Sequence, residues 1–294
     1  MSFIATIGFF DGVHRGHQYV LRCLADIASM HRIRRKVITF REHPRSVLHD
    51  ETATEGFLLT TELERKHRLQ QYADEVVMLQ FADIRMLTAQ QFLRYLRQTE
   101  QVSVLLMGYD HRFGSDMPQF KEDYERMAQE EGVSIVWLSE YAEAGHVSST
   151  VIRTLLRDGD IDKANELLGY EYEISGVVVH GRQIGRQIGF PTANIQVESQ
   201  KLIPQDGVYA VSVQIEDVEK EQQALLNIGC NPTVGGTGKT LEVHIPNYSG
   251  SLYGKHLTLH LKHYLREEMH FTSLSQLRAQ IIEDLKKVHV NLNI

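Results

Sequence analysis

The sequence predicts two domains of different class: a parallel α/β domain over residues 1–169, then an antiparallel all-β barrel with a terminal helix over residues 170–294. Three observations carry that reading. Apolar runs alternate with helical patterns through the first half. Short strands separated by turns follow from about Tyr172. The length of 294 residues suits two domains better than one.

In the first half, Phe3–Gly8 reads as a buried strand and Gly16–Met30 as an amphipathic helix. Strands are expected at Arg35–Phe40, Glu75–Gln80, Val102–Gly108 and Val133–Leu138, with helices at Glu62–Tyr72, Thr88–Gln98 and Gln119–Glu131 between them. Strands separated by helices imply βαβ units, whose right-handed crossovers bring the strand C-termini to one ligand-binding edge. Val147–Leu168 reads as mostly helical, broken at Gly159 and Gly169, and the domain boundary is placed at Gly169. Beyond it, Glu173–Val179, Gly207–Gln214, Gln223–Ile228, Thr240–Ile245 and Leu257–Leu261 are strand candidates whose spacing predicts a barrel. A helix at Ser273–Val288, capped by Thr272 or Ser273, ends the chain.

Composition narrows the function. A net charge of −7 argues against a general nucleic-acid binder. The two cysteines, Cys23 and Cys230, form neither a zinc spacing nor a disulfide framework. No apolar run approaches the roughly 20 residues that span a bilayer, and the start of the chain shows no charged leader, so a cytoplasmic protein is expected.

Chemistry gathers in two places. Between the first strand and helix lies Gly8-Phe-Phe-Asp-Gly-Val-His-Arg-Gly-His17. Its glycines admit close backbone approach, and His14 and His17, three apart, face the same way on a helical turn. Beside a helix N-terminus, two imidazoles suit the charge that builds on a phosphate during nucleotidyl transfer. The spacing alone also fits a pair of surface histidines, or a metal half-site lacking the metalloprotease glutamate. Ser148-Ser-Thr150 opens a helix and Arg153 adds a fork of donors, which caps a helix or binds phosphate.

In the second half, Gly181, Gly185 and Gly189 recur every fourth residue with Arg182 and Arg186 between them, a pattern for an anion nest or a flexible loop. Thr192 and Asn194 share one face of an extended segment, where their oxygens suit a hard cation such as Mg²⁺ or simply form a polar face. Leu241, Val243 and Ile245 point to a core, leaving Glu242 and His244 on the opposite face. A carboxylate there can take the proton of an attacking alcohol, or it is a surface residue.

Taken together, these segments resemble the bifunctional prokaryotic riboflavin kinase/FMN adenylyltransferase (FAD synthetase) family over nearly the whole chain. Gly8 to His17 resembles the HxGH signature of the nucleotidylyltransferases. Thr39–Pro44 resembles the family's Phe-x-Pro-His-Pro segment near the flavin, with Glu42 in place of a proline. Gly108–Gly114 and Ser148–Arg153 resemble two further family elements, and Gly181–Ile195 its kinase motif. Asn227–Thr233, Leu252–Gly254 and Leu265–Phe271 resemble kinase segments too, while Asn247 stands where the family often has Asp.

The resemblance implies a nucleotidylyltransferase-type, Rossmann-like first domain and a riboflavin-kinase barrel, making FMN and then FAD from riboflavin and ATP with Mg²⁺. It implies small-molecule substrates only, with no nucleic acid, membrane or protein partner. His14 and His17 would serve adenylyl transfer, with Gly8, Phe10, Asp11, Gly16, Ser148, Ser149, Thr150 and Arg153 around ATP, and Phe40, His43 and Asp110 near the flavin. In the barrel, Glu242 would be the general base and Thr192 and Asn194 the metal ligands. Gly181, Gly185, Arg186, Gly189 and Pro191 would hold ATP, and Arg266, Glu268 and Phe271 would lie near the flavin.

Overall fold

The computed structural model describes residues 2–48, 56–109, 111–139, 147–181, 185, 188–230 and 239–291. Contacts divide the chain into two compact units, residues Met1–Thr54 with Thr60–Ser148, and Glu55–Leu59 with Ser149–Ile294.

The first unit alternates β1 (Phe3–Ile7), α1 (Arg15–His31), β2 (Arg34–Phe40), α2 (Pro44–Leu48), α3 (Glu62–Gln70), β3 (Glu75–Leu79) and α4 (Phe81–Ile84). It continues through α5 (Ala89–Gln98), β4 (Val102–Met107), α6 (Lys121–Glu130) and β5 (Ser134–Trp137). The strands form one sheet in the order β3-β2-β1-β4-β5, every described pair parallel. Alternate residues of β1 serve opposite faces. Ile4 packs with Leu21, Leu24 and Ala28 of α1, whereas Ala5 and Ile7 pack with Phe92, Leu93 and Leu96 of α5. Capping boxes at Thr61 and Thr88 start α3 and α5. From β1 the chain winds outward to β2 and β3, and from β4 it winds to β5, so the C-terminal ends of β1 and β4 flank a topological switch point.

The second unit comprises α7 (Ser149–Arg157), α8 (Ile161–Leu168), β6 (Tyr172–Val179), β7 (Ala193–Gln196), β8 (Gly207–Ile215), β9 (Gln222–Cys230), β10 (Lys239–His244), β11 (His256–Arg266) and α9 (Leu274–Asn291). Its strands close into an antiparallel barrel, β10-β7-β6-β11-β8-β9. Val211, Val213, Leu226, Ile228, Leu257 and Leu259 fill the same core cluster. On β8 and β9, Val208, Ala210 and Leu225 face the other way and pack under Val288 of α9. Burial on both faces explains why β8 is apolar almost throughout.

Two features depart from the sequence expectation. Short β7 is a full barrel strand, held by Val177–Val179 of β6 and by Glu242 and Val243 of β10. The contact division also differs from a boundary at Gly169 by α7 and α8, whose Ile152, Leu156, Ile161, Ala164 and Leu168 join the barrel core. Asn165 fastens that junction, its amide donating to the Leu261 carbonyl at 2.9 Å and its oxygen accepting from the Tyr172 N–H at 2.7 Å.

Candidate active sites

The chain leaves β1 through a strained turn. Phe10 (φ 57°), Gly12 (φ 78°) and Val13 (φ 38°) are all left-handed, a conformation that costs free energy at Phe10 and Val13 and marks functional turns. Asp11 holds the turn in place: its Oδ1 accepts from the Thr60 N–H at 3.0 Å and the Thr60 hydroxyl at 3.2 Å. The Thr60 oxygen in turn accepts from the Gly12 N–H at 3.1 Å. Thus Asp11, expected beside ATP, has Oδ1 committed to shaping the loop.

His14 is the N-cap of α1, and its Nδ1 accepts from the His17 N–H at 3.4 Å. A neutral His14 ring therefore carries its proton on Nε2. The two rings stack, with centroids 3.7 Å apart and planes 17° from parallel. Burial, and then the charge of His14, hold the His17 pKa well below the ordinary histidine range. Its Nδ1 is buried and has no hydrogen-bond partner among the described residues. Gly16 leaves room for this pair, since a Cβ there would lie 3.3 Å from Cε1 and Nδ1 of His14. A Cβ at Gly8 would press on the Phe10 ring at 3.0 Å.

At the exit of β2, Phe40 is buried and meets Phe81 edge-on, while His43 meets Phe9 edge-on at 4.5 Å. Glu42 accepts from the Phe81 N–H at 3.3 Å, which supplies the cap that Gln80 does not give α4. Asp110 lies outside the described residues. Ser148 precedes α7, and Ser149 and Thr150 open it. Arg153 is buried, its Nε donating to the Phe57 carbonyl at 2.9 Å and its guanidinium lying 3.8 Å over the Phe57 ring.

The barrel brings together residues 50 positions apart: the Thr192 hydroxyl donates to Glu242 Oε2 at 3.1 Å. Glu242 sits opposite Asn194 in the β10–β7 ladder. Two cavities meet at Thr192. One, of about 420 Å³, is lined by Val178, Pro191, Val243, Ile245 and residues 248–253. The other, of about 300 Å³, lies on the outer barrel face, lined by Glu242, His244, Val208, Leu225, Asn227, Arg266, Glu268, Phe271 and the α9 residues Leu277, Ile281 and Asp284.

Glycines crowd this region for a steric reason. A Cβ at Gly181 would collide with the Asn194 amide, and one at Gly185 with the Phe190 carbonyl. Gly189 takes φ 85°. Arg182 and Arg186 lie outside the described residues. Arg266 spends its donors on protein: Nε and Nη2 reach the Asp284 carboxylate at 3.0 and 2.8 Å, and Nη1 reaches the Glu267 carbonyl at 2.8 Å. Glu268 accepts from the Asn227 amide at 3.3 Å.

Four residues around these sites were absent from the sequence-based set: Thr60, Arg65, Asp284 and His244. His244 had a signal, its alternation with Glu242, and its Nδ1 lies 2.9 Å from the Pro191 carbonyl. The other three had none, because their partners lie far away in the chain.

A strained histidine turn at a parallel-sheet switch point, and a carboxylate–hydroxyl pair between two barrel cavities, describe a two-unit nucleotide-dependent transferase. Comparison with known proteins agrees. The family model for FAD synthetase matches residues 2–151, and that for riboflavin kinase matches residues 168–292. The protein named bifunctional riboflavin kinase/FMN adenylyltransferase in Escherichia coli (strain K12) is 36% identical over 285 residues, covering 96% of this chain and 90% of the relative. The protein of that name in Pseudomonas fluorescens is 36% identical over 286 residues, with the same coverage. A crystal structure described as a macrolide-efflux protein from Streptococcus pneumoniae superposes with a TM-score of 0.87 at 29% identity, covering 100% of this chain and 94% of that one. Among the described residues no helix is long and apolar enough to cross a membrane. The chain belongs to the bifunctional riboflavin kinase/FMN adenylyltransferase family.

Proposed function

We propose that the barrel unit phosphorylates riboflavin to FMN, with Glu242 as base, and that the α/β unit adenylylates FMN to FAD beside His14 and His17. The observation that carries this reading is the Thr192–Glu242 hydrogen bond where two cavities meet. Riboflavin fits the outer cavity, whose apolar end is walled by α9 and whose polar end is Glu242. ATP takes the other cavity, which Pro191 lines; its phosphates extend toward Gly181, Gly185, Arg186 and Gly189, of which Gly185 lines the outer cavity. Glu242 accepts the proton of the terminal hydroxyl as that oxygen attacks the γ-phosphorus and ADP leaves.

Mg²⁺ suits this donor set. The hydroxyl of Thr192 and the amide oxygen of Asn194 are hard oxygen ligands, and Glu242 beside them serves as the base. Thr192 donates its hydrogen to Glu242, so its lone pairs remain for a cation. Bound there, Mg²⁺ would neutralise phosphate charge.

The second reaction needs no base, because the nucleophile is the FMN phosphate, already an anion. Its oxygen attacks the α-phosphorus of ATP and pyrophosphate leaves. What the site must supply is charge stabilisation, from the rings of His14 and His17 and the first amides of α1. A neutral His17 acts as a hydrogen-bond donor rather than a cation. Ser148, Ser149, Thr150 and Arg153 bind ATP phosphates, and Phe40, His43 and Asp110 flank the flavin. Arg266, held by Asp284 and the Glu267 carbonyl, walls the flavin cavity of the barrel together with Glu268 and Phe271. The protein works in the cytoplasm on this reading.

Incubating the full chain with riboflavin and ATP, with and without Mg²⁺, and separating the flavins by chromatography tests the reading. FMN and then FAD should accumulate only with the metal. FMN without FAD would confine the activity to the barrel.

A further inference from the structure

In the first unit, Arg65 is the largest fully buried side chain, with 0% exposure. It stands in the second turn of α3, whose start is fixed: Thr61 caps the helix and Thr60 is tied to Asp11 in the histidine turn. From there its Nη2 donates to the Phe40 carbonyl at 2.6 Å and the Arg41 carbonyl at 3.2 Å. These carbonyls lie at the C-terminal end of β2. The guanidinium also lies 4.2 Å over the ring of Phe9, just beyond β1, and that ring meets His43 edge-on at 4.5 Å. One side chain thus ties together the exits of β1 and β2.

The cost of this arrangement points away from a purely structural role. Among the described residues Arg65 forms no ion pair, and its Nε and Nη1 are buried without a hydrogen-bond partner. A buried guanidinium in that condition is unfavourable compared with an apolar side chain of the same length. Burial lowers its pKa, partly opposed by the charges of Asp11, Glu62 and Glu64. What an apolar residue could not do is bridge two carbonyls, here from Nη2 alone, while its guanidinium carbon covers an aromatic ring; a broad guanidinium does both at once, whereas a compact ammonium that reaches the carbonyls leaves the ring uncovered.

We propose that Arg65 is a positioning residue of the flavin subsite of adenylyl transfer, holding Phe9, Phe40 and His43 as one wall and thereby setting affinity for FMN. This role rests on the assignment of FMN adenylylation to the histidine edge of the sheet.

The test uses the full chain and two substitutions, Arg65→Lys, which keeps the charge but not the fork, and Arg65→Met, which keeps length alone. Rates of FAD formation are measured with FMN varied at saturating ATP, then with ATP varied at saturating FMN. Urea denaturation of the same samples followed by circular dichroism reports folding of the first unit, and riboflavin phosphorylation that of the barrel unit. Arg65→Lys should raise the KM for FMN about tenfold, the order expected from a displaced binding wall, with kcat and the KM for ATP unchanged. Arg65→Met should do at least as much, and if it fails to fold, Arg65→Lys decides. A side chain needed only for stability would instead lower the active fraction, so kcat would drop with KM constant, and that result overturns the role. A wild-type KM for FMN in Arg65→Lys overturns it too, and if Arg65→Met alone is impaired, the residue acts as a charge. A wild-type protein that makes FMN but no FAD overturns the underlying assignment and this role with it.

Discussion

The hydroxyl of Thr192 donates to the carboxylate of Glu242 at 3.1 Å because β7 and β10 are neighbours in the barrel. The register sets Glu242 against Asn194, and Thr192 immediately precedes β7, so three oxygen-bearing side chains lie on neighbouring stretches of backbone. One of them is a proton acceptor, and the other two keep lone pairs for a cation. This arrangement makes the barrel site testable residue by residue.

Glu242→Gln preserves shape and removes the proton acceptor. FMN formation should fall by about 10²–10⁴-fold, while supplied FMN is still converted to FAD. Both rates come from one chromatographic assay, and near-normal phosphorylation in a folded Glu242→Gln protein would rule out the base.

At the other site, His14→Ala and His17→Ala should each lower FAD formation by about 10²-fold or more, the usual loss for one preorganised donor. Riboflavin phosphorylation should stay at the wild-type rate. Gly16→Ala extends the test, because the new Cβ lies 3.3 Å from the His14 ring and must displace it. Its FAD rate should fall while ATP still binds, since the loss concerns the transition state.

The depressed pKa of His17 sets a pH dependence. As pH falls below about 6.5, the unfolded chain protonates this ring and the folded chain does not. The contribution to stability is therefore full above that pH and declines below it, until the folded ring also titrates. Urea denaturation from pH 7.5 to 5 should show a steeper loss in wild type than in His17→Asn. An NMR titration should place the His17 midpoint below about 6.5.

Asp284 is 1% exposed and takes two donors from Arg266 and one from Gln280. Removing it strands a guanidinium against an apolar wall. Asp284→Ala should destabilise the barrel unit by about 3–5 kcal/mol, as for other broken buried pairs, seen as a lower urea midpoint. Because Asp284 and Arg266 both line the outer cavity, the KM for riboflavin should rise too.

Much of this molecule was legible in the order of its residues. Short apolar runs separated by helical stretches pointed to the parallel sheet, and the strand-to-helix position of Gly8–His17 put the histidines at its binding edge. The alternation Leu241, Val243, Ile245 assigned Glu242 to the outer face before any strand was paired. Asn247, a departure from the family pattern, adopts φ 61°, a backbone state that Asn enters more readily than most residues. β7 was harder to see, because four residues beside a glycine-rich loop carry little periodicity.

The pairing of distant groups was decided only by the tertiary structure. Hydropathy places Leu63 inside and Arg65 outside, yet Leu63 is 71% exposed and Arg65 is buried. The reason is geometric. Local sequence sets which face of a helix is apolar on average, but the carbonyls of Phe40 and Arg41 meet Arg65 only once β2 and α3 have packed. Likewise Thr192 meets Glu242 only when the barrel closes, since the force that closes it is burial of Leu241, Val243 and their core partners, not attraction between the two reactive groups.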